Sequence, residues 1–218
     1  MKNSIQHQKA IDKTIELYKG TGWKYIFTVW KFWEEPYTEL EKLVPKKGKI
    51  VDMGCGEGIN SNFLALTSKQ RKIIGIEIDQ KRVAIADKKI PNTSFEVGDA
   101  TKSIPRADAI IFFHVLHHFN SFKEQEKVID NCYKSLKKGG KLLIIEIDPK
   151  PSLKYWVCWV FDHFFVPWVF EGRFHSNAYF RKSKDWKKLL DGKGFNCKIR
   201  PAEDGRPFSN VILDCTRQ

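Results

Sequence analysis

Between Lys49 and Asp148 the chain alternates short apolar runs with segments of helical periodicity. "KIVDMG", "KIIGIEID", "TSFEVGD", "ADAIIFFHV" and "KLLIIEID" are rich in Val, Ile and Leu rather than alternating apolar with polar, so each reads as a strand covered on both faces. "INSNFLALTS", "QKRVAIADKKI" and "FKEQEKVIDNCYKSLKK" read as helices between them. Such β-α-β alternation predicts a doubly wound α/β core with a mostly parallel sheet. Further on, "SKDWKKLLDGKGF" reads as a helix with Ser183 as its N-cap and Gly192 and Gly194 at its end. Two more strands, "FNCKIRPAE" and "SNVILDCT", follow, joined by "DGRPF", for seven in all. Residues 1–47 read as a helical cap, and the aromatic stretch 149–182 as an insert after the fifth strand.

The first strand runs into "VDMGCGEG", with glycines at 54, 56 and 58. Glycine weakens the interior of a helix or strand, so its clustering at a strand-to-helix turn points to a close approach of another molecule to the main chain. In a doubly wound sheet this turn lies at the switch point, beyond the strands' carboxyl ends, where ligands bind. The spacing is G-x-G-x-G rather than the G-x-G-x-x-G of dinucleotide sites, because Ile59 and Asn60 follow Gly58. Glu77 ends the second strand about 20 residues on, where a carboxylate can accept from both hydroxyls of a ribose. Asp99 ends the third strand, placed to accept from an exocyclic amine, and the fourth opens into a loop at His114.

Taken together these motifs resemble a class I S-adenosylmethionine-dependent methyltransferase, over about residues 48–148, with the family's closing antiparallel hairpin also fitting. The resemblance implies a single domain of four parts: helical cap (1–47), cofactor-binding core (48–148), lid (149–182), and closing helix and hairpin (183–218). It implies S-adenosylmethionine as cofactor, its methionine part against Asp52, Gly54, Cys55, Gly56 and Gly58. Glu77 with Ile78 would take the ribose, Asp99 with Ala100 the adenine, and the His114 region the methionine amino group.

Methyl transfer from a sulfonium needs alignment and exclusion of water, and a base only when the acceptor must lose a proton. The candidate bases are His114, His117, His118, His175, Glu146 and Asp148, with His118 ranked first and His117 second. No Asn/Asp-Pro-Pro-aromatic motif follows strand four, where "HVLHHF" stands, so methylation of a nucleic-acid base is disfavoured. The insert carries Trp156, Trp159, His163, His175 and Tyr179, read either as a lid over a hydrophobic acceptor or as an ordinary cap on the core. A looser resemblance, to a bacterial methyltransferase group associated with polyene or lipid-like pathway clusters, agrees with the first reading.

A formal net charge of +12 is spread over the whole chain as lysine, which suits a solvated surface, an anionic membrane or RNA. Five cysteines (55, 132, 158, 197 and 215) include no C-x-x-C pair and no metal-ligand spacing, so neither disulfides nor a metal are expected. Free thiols, the lack of an apolar leader and the lack of a ~20-residue apolar span lead to the expectation of a cytoplasmic protein, peripheral to membranes at most. Three functions compete: methylation of an O, C or N atom of a small hydrophobic metabolite, methylation of protein or RNA, and cofactor binding without catalysis. The oligomeric state is not legible.

Overall fold

The computed structural model describes residues 2–149, 178–202, 205 and 209–218, the side chains of 2–4 excepted. Seven strands form one sheet: β1 (Gly48–Met53), β2 (Arg71–Glu77), β3 (Thr93–Val97), β4 (Ala107–Phe113), β5 (Leu136–Ile147), β6 (Phe195–Pro201) and β7 (Asn210–Arg217). Their spatial order is β3-β2-β1-β4-β5-β7-β6. The first five are parallel, and β7 pairs antiparallel with both β5 and β6. The order reverses between β1 and β4, which opens a crevice beyond their carboxyl ends.

The helices are α1 (Lys2–Glu16), α2 (Trp23–Glu34), α3 (Tyr37–Leu43), α4 (Ile59–Thr67), α5 (Gln80–Ala86), α6 (Phe122–Ser135) and α7 (Ser183–Gly192), with a 3₁₀ turn at Leu116–His118. Because side chains alternate along a strand, each strand feeds both faces. Val51, Ile110, Phe112, Leu142 and Ile144 pack with Val128 and Ile129 of α6 and with Trp186 and Leu190 of α7. Ile50, Ala109, Ile111, Leu143 and Ile145 pack with Phe63 and Leu64 of α4, Leu40 of α3 and Tyr18 after α1. The Tyr18 hydroxyl donates to the Glu57 carbonyl, which fastens the N-terminal helices to the glycine turn.

Several elements depart from expectation. Helix α5 stops at Ala86, because the Asp87 side chain accepts from the Lys89 amide and turns the chain, with Lys89 at φ 58°. Strand β5 begins at Leu136, in register with Ala107, before a register shift resumes the pairing at Lys141 opposite Ala109. Ser183 is the first residue of α7 rather than its cap: its amide and hydroxyl donate to Asp148, whose carboxylate occupies the helix N-terminus. Cys197 and Cys215, directly opposed across β6 and β7, are joined as a disulfide. This corrects the expectation of free thiols and removes its support for a reduced compartment. Only the hairpin register brings together two cysteines 18 positions apart.

The expectation also missed a buried ion pair. Arg71, at the start of β2, lies fully buried with Glu41 of α3 at 2.9 Å. The Arg71 guanidinium also donates to the carbonyls of Pro45, Val44 and Leu64, while Glu41 receives His7 and Lys46 as well. Burial opposes the Glu41 charge, but Lys46 and Arg71 hold its carboxyl below the usual range. Removing one partner strands the other in the core, so Glu41→Ala should lower the unfolding free energy by about 3 to 5 kcal/mol. Urea denaturation showing a loss below ~1 kcal/mol would contradict that role.

Candidate active site

The turn after β1 is built by glycines in left-handed conformation. Gly54 (φ 69°) has no room for a side chain, since a Cβ would come within 2.6 Å of Val115. Gly54 and Cys55 donate their amides to the Ile76 carbonyl, which leaves the loop bound to the end of β2. Glu77 then locks the two loops together. Its Oε2 accepts from the Gly56 amide at 2.9 Å, and its Oε1 from those of Ile78 (2.8 Å) and Asp79 (3.2 Å).

Asp52, buried at the end of β1, accepts from the Ser61 hydroxyl at 2.6 Å. Burial, with the nearby Glu77 charge adding to it, outweighs the Ser61 and Asn60 hydrogen bonds and pushes its carboxyl up to about 6. Asp99 follows β3 and accepts from the amide and hydroxyl of Thr101, whose hydroxyl bond is the main reason that its carboxyl stays below the usual range. Ala100 is buried beside it, whereas Ile78 is 70% exposed, an apolar plate over the crevice.

His114, at the tip of β4, has φ 54°, and such a conformation in a non-glycine residue often marks a functional site. Its Nε2 lies 2.7 Å from Glu35 Oε2, and Lys31 reaches the other Glu35 oxygen at 3.3 Å. Burial works against the Glu35 charge, yet His114 and Lys31 prevail and hold its carboxyl at about 2. Glu35 was not anticipated as part of the site; the aromatic spacing of α2 was its only signal in the sequence, and that spacing pointed to packing or to substrate contact.

His117 is buried, with Nδ1 2.6 Å from Glu146 Oε2, while Glu146 Oε1 accepts from the Leu116 amide at 2.8 Å. Burial disfavours the Glu146 charge, but His117 and the Leu116 amide keep its carboxyl below the usual range. The His117 ring stacks on Phe180 at 4.7 Å, and its carbonyl accepts from the Tyr179 amide. His118 lies against His117, but its residue is exposed and no side-chain hydrogen bond orients it among the described residues. Asp148, a candidate base, instead caps α7. Trp156, Trp159, His163 and His175 lie outside the described residues.

Asp52, Gly54, Cys55, Gly56, Glu77, Ile78, Asp99, Ala100, His114, His117 and His118 thus line one cleft of about 1070 Å³, closed on its other side by Trp23, Phe27 and Trp30 of α2. Gly58 lies just behind it, as the left-handed cap of α4. Among the described residues His114, His117 and Glu146 bring donor atoms within 4.8 Å of one another, the one grouping able to approach a metal ion. Both Glu146 oxygens there already accept internal hydrogen bonds.

A family model described as a methyltransferase domain matches residues 23–198. The chain belongs to the class I S-adenosylmethionine-dependent methyltransferases. The desmethylxanthohumol 6'-O-methyltransferase of Humulus lupulus is 32% identical over 151 residues, covering 68% of this chain and 41% of that protein. The demethylmenaquinone methyltransferase of Thermotoga maritima is 28% identical over 142 residues, covering 62% of this chain and 61% of its own length. The chain therefore spans less than two thirds of either curated relative. The solved magnesium protoporphyrin IX methyltransferase of Synechocystis, with bound SAH, superposes with a TM-score of 0.61 at 21% identity, covering 98% of this methyltransferase and 84% of that chain. An S-adenosylmethionine-dependent methyltransferase structure from Listeria monocytogenes gives 0.63 at 17% identity, with 84% and 98% covered.

The residues fit the family's cofactor, S-adenosylmethionine: a glycine bend bare of side chains, a carboxylate already held by three amides, and an uncovered apolar plate beside Asp99. Glu77→Ala and Asp99→Ala should each weaken S-adenosylmethionine binding by about 1 to 3 kcal/mol in calorimetric titration; unchanged affinity in both would remove them from the site. Because the Asp52 carboxyl takes its proton below about pH 6 and a cationic ligand favours the charged form, affinity should fall as pH drops below 6, by up to about tenfold per unit. Titrations of Asp52→Asn should show weaker binding at neutral pH and little of this slope.

Proposed function

We propose that the chain is a single methyltransferase domain that methylates a small, apolar metabolite on a hydroxyl oxygen. The observation that carries this reading is the His117–Glu146 pair, buried at the floor of an aromatic-lined cleft beside the glycine turn. Bound S-adenosylmethionine supplies an activated methyl group on a sulfonium, with a neutral thioether as leaving group. Asp52, the turn at Gly54, Cys55, Gly56 and Gly58, and the His114 tip hold its amino-acid end. Glu77, Ile78, Asp99 and Ala100 hold its nucleoside.

The ionised Glu146 accepts from Nδ1 of His117, which fixes the tautomer and leaves Nε2 as the proton acceptor. His117 takes the proton of the acceptor hydroxyl at Nε2, which would free the oxygen to receive the methyl group that bound S-adenosylmethionine would supply, its sulfur leaving as the thioether. Glu146 steadies the resulting imidazolium, and the aromatic walls exclude water. The buried pairing with Glu146 supports His117 over the exposed His118 as base. Tyr179 positions His117 through its backbone.

The apolar character of the acceptor is supported by the Trp23, Phe27, Trp30, Phe113 and Ile147 walls and by relatives named for desmethylxanthohumol and demethylmenaquinone. No helix among the described residues is long and apolar enough to cross a membrane. A cytoplasmic enzyme in peripheral contact with an anionic membrane agrees with this and with the +12 charge. The same charge favours protein or RNA as the alternative acceptor. Radiolabelled methyl transfer into fractionated extract separates them: label in the lipid or small-molecule pool is expected, and label only in protein or RNA would overturn the assignment. With the acceptor in hand, His117→Ala should lower kcat by about a hundredfold or more with unchanged S-adenosylmethionine affinity. His118→Ala should stay within about threefold of the parent.

A further inference from the structure

Helix α2 is packed against the usual rule for an amphipathic helix. Its buried residues are Thr28 and Glu34. Of the nine large apolar side chains that stand exposed among the described residues, five lie on this one helix: Trp23, Tyr25, Ile26, Val29 and Trp33. Ile26 (69% exposed), Val29 (42%) and Trp33 (62%) are spaced i, i+3, i+7 and so share one face. Scattered exposed apolar residues need no explanation, but a stripe along one helix marks an interaction surface.

The charge around the stripe says what kind. The outward face carries no acidic residue, since Glu34 and Glu35, at the C-terminal end of the helix, are buried. At the other end Lys24 sits beside Lys88, whose ammonium lies 4.4 Å over the Tyr18 ring, and neither forms an ion pair among the described residues. Burial and the Lys24 charge together depress the Lys88 pKa, a penalty that an anionic group between the two would relieve. An apolar stripe with a tryptophan at its C-terminal end, unpaired lysines at its other end and an excess of basic charge overall has the complementarity of a bilayer interface bearing anionic headgroups.

We propose that the outward face of α2, centred on Ile26, Val29 and Trp33 and flanked by Lys24 and Lys88, docks the enzyme on an anionic phospholipid surface. The opposite side of the same helix, through Phe27 and Trp30, is a wall of the cleft. Docking therefore sets the cleft beside the bilayer, so that an apolar acceptor passes from lipid to site without crossing water. The proposal rests on the reading of an apolar acceptor, but the surface itself is tested without one.

The full chain is sedimented with vesicles of phosphatidylcholine alone or mixed with phosphatidylglycerol. Binding to the mixed vesicles should be at least about tenfold tighter and should weaken with salt. The triple variant Ile26→Ser/Val29→Ser/Trp33→Ser, which changes only exposed side chains outside the cleft, should lose at least about tenfold on mixed vesicles. Its unfolding temperature and S-adenosylmethionine affinity should match the parent. Lys24→Gln/Lys88→Gln should remove the preference for anionic lipid. Absence of vesicle binding, or equal binding by the triple variant, overturns the proposal. So does a parent dimer that the triple variant converts to monomer, since the face would then be covered by a second copy. A polarity-sensitive label on Ile26→Cys that reports an apolar setting without vesicles also overturns it, since the chain would then cover its own stripe. Vesicle docking without methyl transfer would refute the catalytic reading and leave the docking face intact.

Discussion

The cleft depends on the Glu77 carboxylate and the three main-chain amides it gathers, from Gly56 in the turn after β1 and from Ile78 and Asp79 in the turn after β2. Hydrogen bonds to a charged acceptor contribute about 1.5 to 3 kcal/mol each, enough to offset the conformational freedom that three glycines give up on folding. The two loops are thereby fixed relative to each other before any ligand arrives. A ligand entering the crevice would meet a finished surface, and little of its binding energy would go into ordering it.

The same device recurs at three other junctions with the sheet among the described residues. Glu35 ties the end of α2 to His114 at the tip of β4, Glu41 ties α3 to Arg71 at the start of β2, and Glu146 ties the turn after β4 to β5. Each is a buried carboxylate whose charge would be costly alone and is tolerated because a cation, imidazole or amide meets it. The backbone strain at His114 belongs to this pattern: a left-handed residue turns its ring out of the strand line and toward Glu35.

Signals that repeat along the chain were legible in sequence, and those that arise across it were not. The apolar strands, the crossover helices and the glycine turn announce themselves within a dozen residues, and the motif order carried the family. The Cys197–Cys215 bond, the Arg71–Glu41 pair and the early start of β5 at Leu136 depend on which residues end up opposite one another, a matter of register. The site divided in the same way. Glu77 and Asp99 stand at strand ends that the pattern marks, while the fold decides which of His117 and His118 meets Glu146, and "HH" alone does not tell. Glu35 lay hidden in an aromatic helix whose pattern suggested packing or substrate contact but no carboxylate.

Asp148 has a consequence beyond capping. Its carboxylate holds Ser183 and its carbonyl accepts from the Ser209 hydroxyl, so three stretches of chain distant in sequence are tied in one knot at the end of β5. Once such a knot is tied, the length of chain between its ends matters little, since doubling the length of a closed loop costs only about 0.6 kcal/mol. Chain between Asp148 and Ser183 can therefore be lengthened or shortened while the sheet and the crevice keep their geometry.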